Sequence, residues 1–293
     1  LEVKGRWNDQ PNESSAGGFV HFRKQFYVND LPRDPVLVSI TADTRYKLYI
    51  NSRFVHYGPV KGDAQLWFYG KLDVQPYLKI GANHIAIDVL RLNHGTPFGT
   101  SFPRMPLGGL RVKQVQVMKG HQDDLGIDTD DTWETAIDVS THLAIHPGDM
   151  FLNVYERADN EKDRELRWVS AKPHKIFTAF GLTPPWNLAP RQIPMARLQP
   201  SQFRAIHNLR STVSQDIWEA VLLGGNGNMP SEIILPPGTV HHIKLEVDHH
   251  ITAFLSFRFT RPRSPNSELR VTYSESYEDP PPEKSPYRLK FDR

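Results

Sequence analysis

The chain has 293 residues, long enough for two domains with a sizeable core. A formal net charge of only +2 removes the electrostatic footprint of a nucleic-acid or anionic-membrane binder, and the absence of cysteine excludes disulfides, thiol catalysis and cysteine-ligated zinc. No apolar run is long enough for a membrane-spanning helix, whereas 24 prolines and 19 glycines between short apolar runs point to strands joined by frequent turns.

Residues 1–16 are polar, with Trp7 the one large apolar anchor, and read as an arm laid on a domain surface. No leader peptide is recognisable, and the chain begins at Leu1 and not at Met, as it would after removal of one. Asn12-Glu13-Ser14 is a glycosylation triplet with Asn12 as acceptor. It leans the reading toward secretion and leaves a cytoplasmic home open. Phe19 to Val28 alternates as a strand with Val20, Phe22 and Phe26 on the buried side. Pro32 and Pro35 bracket a loop, and Val36, Val38 and Ile40 form the next buried face.

From Ala42 to Asn83 the chain is organised by turn chemistry. Tyr46, Leu48 and Ile50 point one way and Arg45, Lys47 and Tyr49 the other. Asn51-Ser52 is a tight turn, because Asn tolerates positive φ, and Phe54-Val55 starts the return strand. Gly58-Pro59 and Lys61-Gly62-Asp63 break the chain again, and Leu66 to Leu72 is an aromatic strand. Asp73 to Leu78 is a compact turn with Pro76 fixing φ and Leu78 as a hydrophobic plug; after Gly81-Ala82-Asn83, alternation resumes through Ile85, Ile87 and Val89.

Arg45 to Asn51 (RYKLYIN), followed by Asp73-Val74-Gln75-Pro76-Tyr77-Leu78 and Gly81 to Ala86, resembles the galactose-binding-like sandwich of several multidomain glycoside hydrolases. Between them, Gly58-Pro59, Gly62-Asp63 and Trp67-Phe68-Tyr69 resemble a run of the α-L-rhamnosidases, glycoside hydrolase family 78.

After Leu92 comes a long loop rich in Gly and Pro, residues 93–109. One reading is a lip that reaches a sugar, with His94 and Arg104 as polar contacts and Phe98 or Phe102 as stacking faces; the other is an ordered cover over one end of the sandwich. Leu110 to Met118 is a strand in which Val112 and Val115 fall out of phase, so a bulge is expected. Residues 122–132 are acidic but lack the Gly and terminal Glu of a calcium loop, and read as a solvated turn. Thr132-Trp133-Glu134 resembles the start of the closing strand in rhamnosidases, with Trp133 in the core. Residues 153–167 are highly charged and leave room for a short helix; Tyr155-Glu156-Arg157-Ala158 resembles a family segment loosely, and Trp168 before Ala171 follows it.

Residues 180–200 form a proline-rich connector unfit for a central strand or a helix interior. Pro190-Arg191-Gln192-Ile193-Pro194 resembles the linker out of the family's first sandwich. Residues 214–223 are the best helix, capped by Ser214, with Asp216 at its positive end and Gly224-Gly225 as its stop. His241 to His250 is a strand, and its two His-His pairs are too far apart, with apolar residues between, to be ligands on one strand face. Phe254 to Thr260 and Leu269 to Tyr277 are further strands, and Arg270 to Ser276 resembles a strand of the second rhamnosidase sandwich.

The expected architecture is therefore all-β: two β-sandwich domains (jelly-roll, galactose-binding-like) with one short helix, over residues 1–198 and 199–293, the second incomplete. The resemblance implies the accessory region of an inverting enzyme that removes terminal α-L-rhamnose from plant glycans or glycosides. Its carboxylate pair would belong to a downstream (α/α)6 barrel, which would be the sandwiches' partner. No residue of this chain is assigned a catalytic role, Asp43 and Glu275 reading as structural carboxylates, and no cofactor or metal is expected. The sugar-contact candidates are Trp67, Tyr69, His94 and Arg104. Other readings are a stand-alone carbohydrate-binding protein, and the sandwich region of another glycosidase or of a polysaccharide lyase.

Overall fold

The computed structural model describes residues 17–63, 66–92, 108–115, 124–145, 154–158, 166–173, 187–224, 232–249, 251–258, 260 and 267–272. The chain divides into two compact units, Leu1–Met195 and Ala196–Arg293. The division falls a few residues before the one expected from the linker.

The first unit is a β-sandwich. One sheet contains β1 (Gly17–Val28), β3 (Arg45–Ile50), β4 (Arg53–Gly58), β6 (Gly81–Leu92), β8 (Glu134–Ile137) and β11 (Val169–Ser170), in the order β11-β8-β1-β6-β3-β4. The other contains β2 (Leu37–Asp43), β5 (Trp67–Asp73), β7 (Gly109–Gln114) and β12 (Leu188–Pro190), in the order β12-β5-β2-β7. A separate hairpin pairs β9 (Thr141–Ile145) with β10 (Val154–Ala158). The pairings are antiparallel except for β12, which adds to β5 in parallel and ends at Pro190 on the sheet edge, where the missing N–H costs no ladder bond.

Period-two patterning makes these strands. Val20, Phe22, Phe26 and Val28 of β1 are buried, and β1 pairs along its whole length with β6, whose Ile85, Ile87 and Val89 face the same way. Tyr46, Leu48 and Ile50 complete that inner face, against Val38, Ile40, Leu110 and Val112 of the second sheet and the fully buried Trp133. Each such aliphatic side chain contributes about 1.5–3 kcal/mol by leaving water. β2 is buried on both faces; its polar Ser39 and Thr41 are satisfied by the carbonyls of Lys113 and Phe68.

Two asparagines hold the turns. Asn51 and Ser52 adopt φ of 50° and 63°, as a two-residue hairpin turn requires. Asn51 Nδ2 donates to the Tyr77 carbonyl at 2.9 Å and to Asn83 Oδ1 at 2.8 Å. Asn83 is fully buried; its amide donates to the carbonyls of Lys79 and Gly81 and its oxygen accepts the Lys79 N–H. One amide pair thus joins the β3–β4 hairpin to the Gln75–Tyr77 3-10 turn and to the start of β6.

Three expectations for the first unit are corrected. β7 pairs with β2 without a register shift, so the expected bulge is absent: the strand stops at Gln114, and Val115 already lies beyond it. Within the charged residues 153–167, where the sequence leaves room for a short helix, Val154–Ala158 form strand β10, because pairing with β9 outweighs the local charge pattern; residues 159–165 lie outside the described residues. Alternation also begins earlier than expected, at Gly81 and not after Asn83, because β1 supplies a partner that far.

The second unit pairs β13 (Ala205–Arg210) with β14 (His242–Glu246) and packs helix α1 (Gln215–Glu219) against them through the buried Trp218. The helix runs on into a π turn, Ala220–Gly224, and stops where Gly224 takes φ of 84°. Asp216 sits in its first turn, but Ser214 makes no side-chain capping bond. Of the expected strand 241–250, only His242–Glu246 forms a ladder. The strands expected at 254–260 and 269–277 are not seen over the described residues 251–258, 260 and 267–272, and Phe254, Phe257, Leu269 and Val271 are exposed. Alternation makes a strand only where a neighbour completes the backbone hydrogen bonds. The described residues of this unit thus form one two-stranded sheet and a helix. Glu275 lies outside the described residues.

Candidate functional site

The end of the sandwich from which residues 93–107 depart is built by β2, β3 and β6. Thr44 N–H donates to the Leu90 carbonyl at 2.9 Å, Leu92 N–H donates to Thr44 Oγ1 at 3.3 Å, and Asp43 pairs with Gly109. Both roots of the loop therefore lie against Asp43 and Thr44. Asp43 is fully buried and accepts from Arg91 Nη1 at 3.2 Å and from Thr44 Oγ1 at 3.2 Å. Arg45 Nη1 donates to the Thr44 carbonyl at 2.9 Å. Burial pushes the Arg45 and Arg91 guanidinium groups below their usual range, and the Asp43 charge pulls them back up. The carboxylate is closed off from solvent and holds charge in place.

Trp67 lies beneath this end. Its indole Nε1 donates to the Ala42 carbonyl at 3.1 Å, and its backbone N–H donates to the Asn187 carbonyl at 2.9 Å. The turn at Gly62 covers it: a Cβ on Gly62 would stand 2.4 Å from the Leu66 carbonyl oxygen and 3.1 Å from Trp67 Cε3. Asp63 Oδ1 fixes that turn by accepting Leu66 N–H at 2.7 Å. Trp67, expected as a sugar contact, is fully buried and offers no face to a sugar. Tyr69 is half-buried on the face of β5 that carries the exposed Lys71 and Asp73, and its carbonyl accepts the Arg191 N–H at 2.9 Å. His94, Arg104 and Asn12 lie outside the described residues.

Two polar clusters, one buried and one half-buried, carry histidines that sequence reasoning did not assign to a site. On the inner face, Tyr46 Oη and His56 Nδ1 share a 3.2 Å hydrogen bond, while His56 Nε2 is buried without a hydrogen-bond partner among the described residues. Burial, and then the charge of nearby Arg191, pushes the His56 imidazole down to about 4. Burial likewise pushes the Tyr46 hydroxyl up, with Arg191 opposing it. In the second unit, Val213 N–H and Trp218 Nε1 each donate to Ser211 Oγ at 2.9 Å. Both lone pairs of that oxygen are then taken, so its proton goes to His241 Nδ1 at 2.8 Å. The ring proton therefore sits on Nε2 and is given to Thr239 Oγ1 at 2.7 Å, which donates to the Pro236 carbonyl at 2.6 Å. The layout resembles a nucleophile–base pair, but an oxygen with no free lone pair cannot attack. The relay fastens helix α1 to the turn before β14.

The acidic turn is likewise spent on structure. Asp128 accepts Gln114 N–H at 2.6 Å, and Asp130 meets Lys24 Nζ at 3.2 Å. Among the described residues no cluster of three His, Asp or Glu side chains is placed to hold a metal ion. Arg91 was invisible to spacing because it stands far along the chain from Asp43; the pairing of β3 with β6, continued by Thr44 N–H on the Leu90 carbonyl, brings them together.

No protein-family model matches this chain, and no curated protein is similar to it in sequence. Solved structures are similar over part of it. The chain is similar to α-L-rhamnosidases. The family 78 rhamnosidase of Bacillus sp. GL1 is 23% identical, with a TM-score of 0.46 over 68% of this chain and 21% of its own. The α-L-rhamnosidase of Aspergillus terreus is 20% identical, with a TM-score of 0.43 over 69% of this chain and 24% of its own. A lectin from Pleurotus ostreatus is 22% identical, with a TM-score of 0.29 over 45% of this chain and 33% of its own. The chain spans between 16% and 24% of the length of the rhamnosidases it matches.

Proposed function

We propose that this chain is the accessory β-sandwich region of an α-L-rhamnosidase, acting with a catalytic (α/α)6 barrel on terminal α-L-rhamnose. The observation that carries the reading is the ordered set of motifs and where they lie in the fold. Asn51 and Asn83 lock the first pair of turns, Gly62, Asp63 and Trp67 seal the end of the sandwich, and Pro190 to Pro194 leads into the second unit. Glycoside hydrolysis by inversion takes two carboxyl groups about 6.5–9.5 Å apart across the scissile bond. Asp43, the buried carboxylate of this chain's sandwich end, is committed to Arg91. The role left to the sandwich is to brace a cleft and present polar and aromatic side chains at its margin.

The assay is hydrolysis of a nitrophenyl α-L-rhamnoside, by this chain alone and by the full translation product of its gene. The full product is expected to release nitrophenol with inversion at the anomeric carbon, followed by NMR, and the chain alone is expected to release none. A full product that cleaves only other glycosides, or a chain that cleaves the rhamnoside unaided, would overturn the reading.

A further inference from the structure

The inner face of the six-stranded sheet is core; its outer face carries a different pattern. The strand register places Tyr57, Lys47, Asp88 and His21 in one row across β4, β3, β6 and β1. The next row is Phe54, Tyr49, Ala86 and Arg23. Strands lie about 4.8 Å apart, so each row spans about 14 Å, the length of a short sugar chain.

The rows combine three elements. Tyr49 and Phe54 meet edge to face at 5.6 Å, and at the opposite end the Arg23 guanidinium lies 3.9 Å above the Trp168 ring. Ala86 leaves a low floor between these aromatic groups. Asp88, with its side chain 37% exposed, stands beside that floor with His21 Nδ1 at 2.7 Å; the other ring nitrogen of His21 is 3.7 Å from Asp138. The Tyr49 hydroxyl is pushed up by burial and by the Asp88 charge.

We propose that this outer face is a binding platform for a neutral oligosaccharide. Apolar C–H faces of a sugar ring rest on Tyr49, Tyr57 and Phe54, while the Asp88 carboxylate accepts from hydroxyls and the Lys47 ammonium donates to them. The charge pattern selects a neutral ligand. Arg23 is already held by Glu134 at 2.8 Å and His21 by Asp88, so an anionic or cationic partner would have to displace ion pairs it could only partly replace. The face is also mixed, with Tyr57 opposite Lys47 and Trp168 under Arg23, which suits a polyol better than a second protein surface. The inference shares its class of ligand with the function proposed above but not the choice of sugar.

Isothermal titration and NMR on the 293-residue chain provide the test. The probes are a neutral rhamnosyl-glucose disaccharide, a neutral β-glucan hexasaccharide and a charged oligogalacturonide. At least one neutral probe is expected to bind with a Kd on the order of 0.1–1 mM and to shift the Ala86 methyl resonance. Tyr49→Ala should weaken binding tenfold or more. Asp88→Asn, which keeps size and shape, should do so in a chain that circular dichroism still shows to be folded, and Lys71→Ala on the other sheet should have no effect. Binding of the β-glucan alone would support the platform and leave the rhamnosidase reading to its own assay. Silence toward both neutral probes at about 10 mM, binding of the oligogalacturonide alone, or binding that survives Tyr49→Ala and Asp88→Asn would overturn the proposal.

Discussion

Removing the Asp43 carboxyl would take from the 10%-exposed Arg91 side chain its ion pair and from Arg45 the charge that supports its guanidinium. Breaking such a buried pair from one side costs about 3–5 kcal/mol, because a buried charge loses its compensation. Asp43→Ala should therefore lower stability by that amount in urea unfolding. His56 carries a pH prediction. Its imidazole titrates at about 4 in the folded chain against an ordinary value of 6.5, so over that window the unfolded chain takes up a proton that the folded chain refuses. The stability contributed by neutral His56 is complete above about pH 6.5 and is lost as pH falls toward about 4. His56→Gln, which keeps a polar edge but does not titrate, should flatten the pH dependence of the unfolding midpoint over this window. An unchanged slope would mean that the imidazole is as well solvated folded as unfolded. Neither group announced itself by its neighbours in sequence: an Asp beside a turn and a His within a strand become special through what the fold brings near them.

At the scale of elements, local chemistry was most legible where a turn or an alternation stands on its own. The Asn51-Ser52 turn, the buried sides of β1 and β3, and the α1 helix with its glycine stop follow from φ preference, period and capping rules. Asn83 shows where that legibility ends. In sequence it reads as part of a turn, whereas it stands in the first residues of β6; its complete burial and its bond to Asn51 were not readable. Asn83→Ala removes bonds to the backbone of Lys79 and Gly81 and leaves buried polar groups behind, at a cost of about 1–3 kcal/mol each. Denaturant unfolding should show a loss of at least that size. Ser214→Ala is the contrasting case. A working N-cap contributes about 1 kcal/mol, but Ser214 makes no capping bond, so the substitution should change stability by only a few tenths of that. At β10 charge and strand pairing compete, and pairing with β9 decides.

At the scale of the molecule the two units differ in how much core they hold. The first buries Trp67 and Trp133 completely, Trp133 within a cluster drawn from both sheets, while Ile206 and Trp218 are the buried apolar side chains among the described residues of the second. Tryptophan fluorescence should accordingly report two transitions in urea, the second unit unfolding at lower concentration. Trp218→Phe should remove the earlier change and leave the later one in place. A single transition that Trp218→Phe leaves unaltered would show that the units unfold together.

The sequence by itself determined the all-β class, most strands of the first sandwich and the principal turns, because each depends on a short-range rule: period two, positive φ, proline geometry. Tertiary structure alone decided the rest. It buried Trp67, paired Asp43 with Arg91, isolated the His56 ring nitrogen and aligned Tyr57, Lys47, Asp88 and His21 across four strands. Strand register is chosen by the whole hydrophobic face at once, and a one-residue slip would send each of these side chains to the opposite side of its sheet. No window of sequence contains that choice.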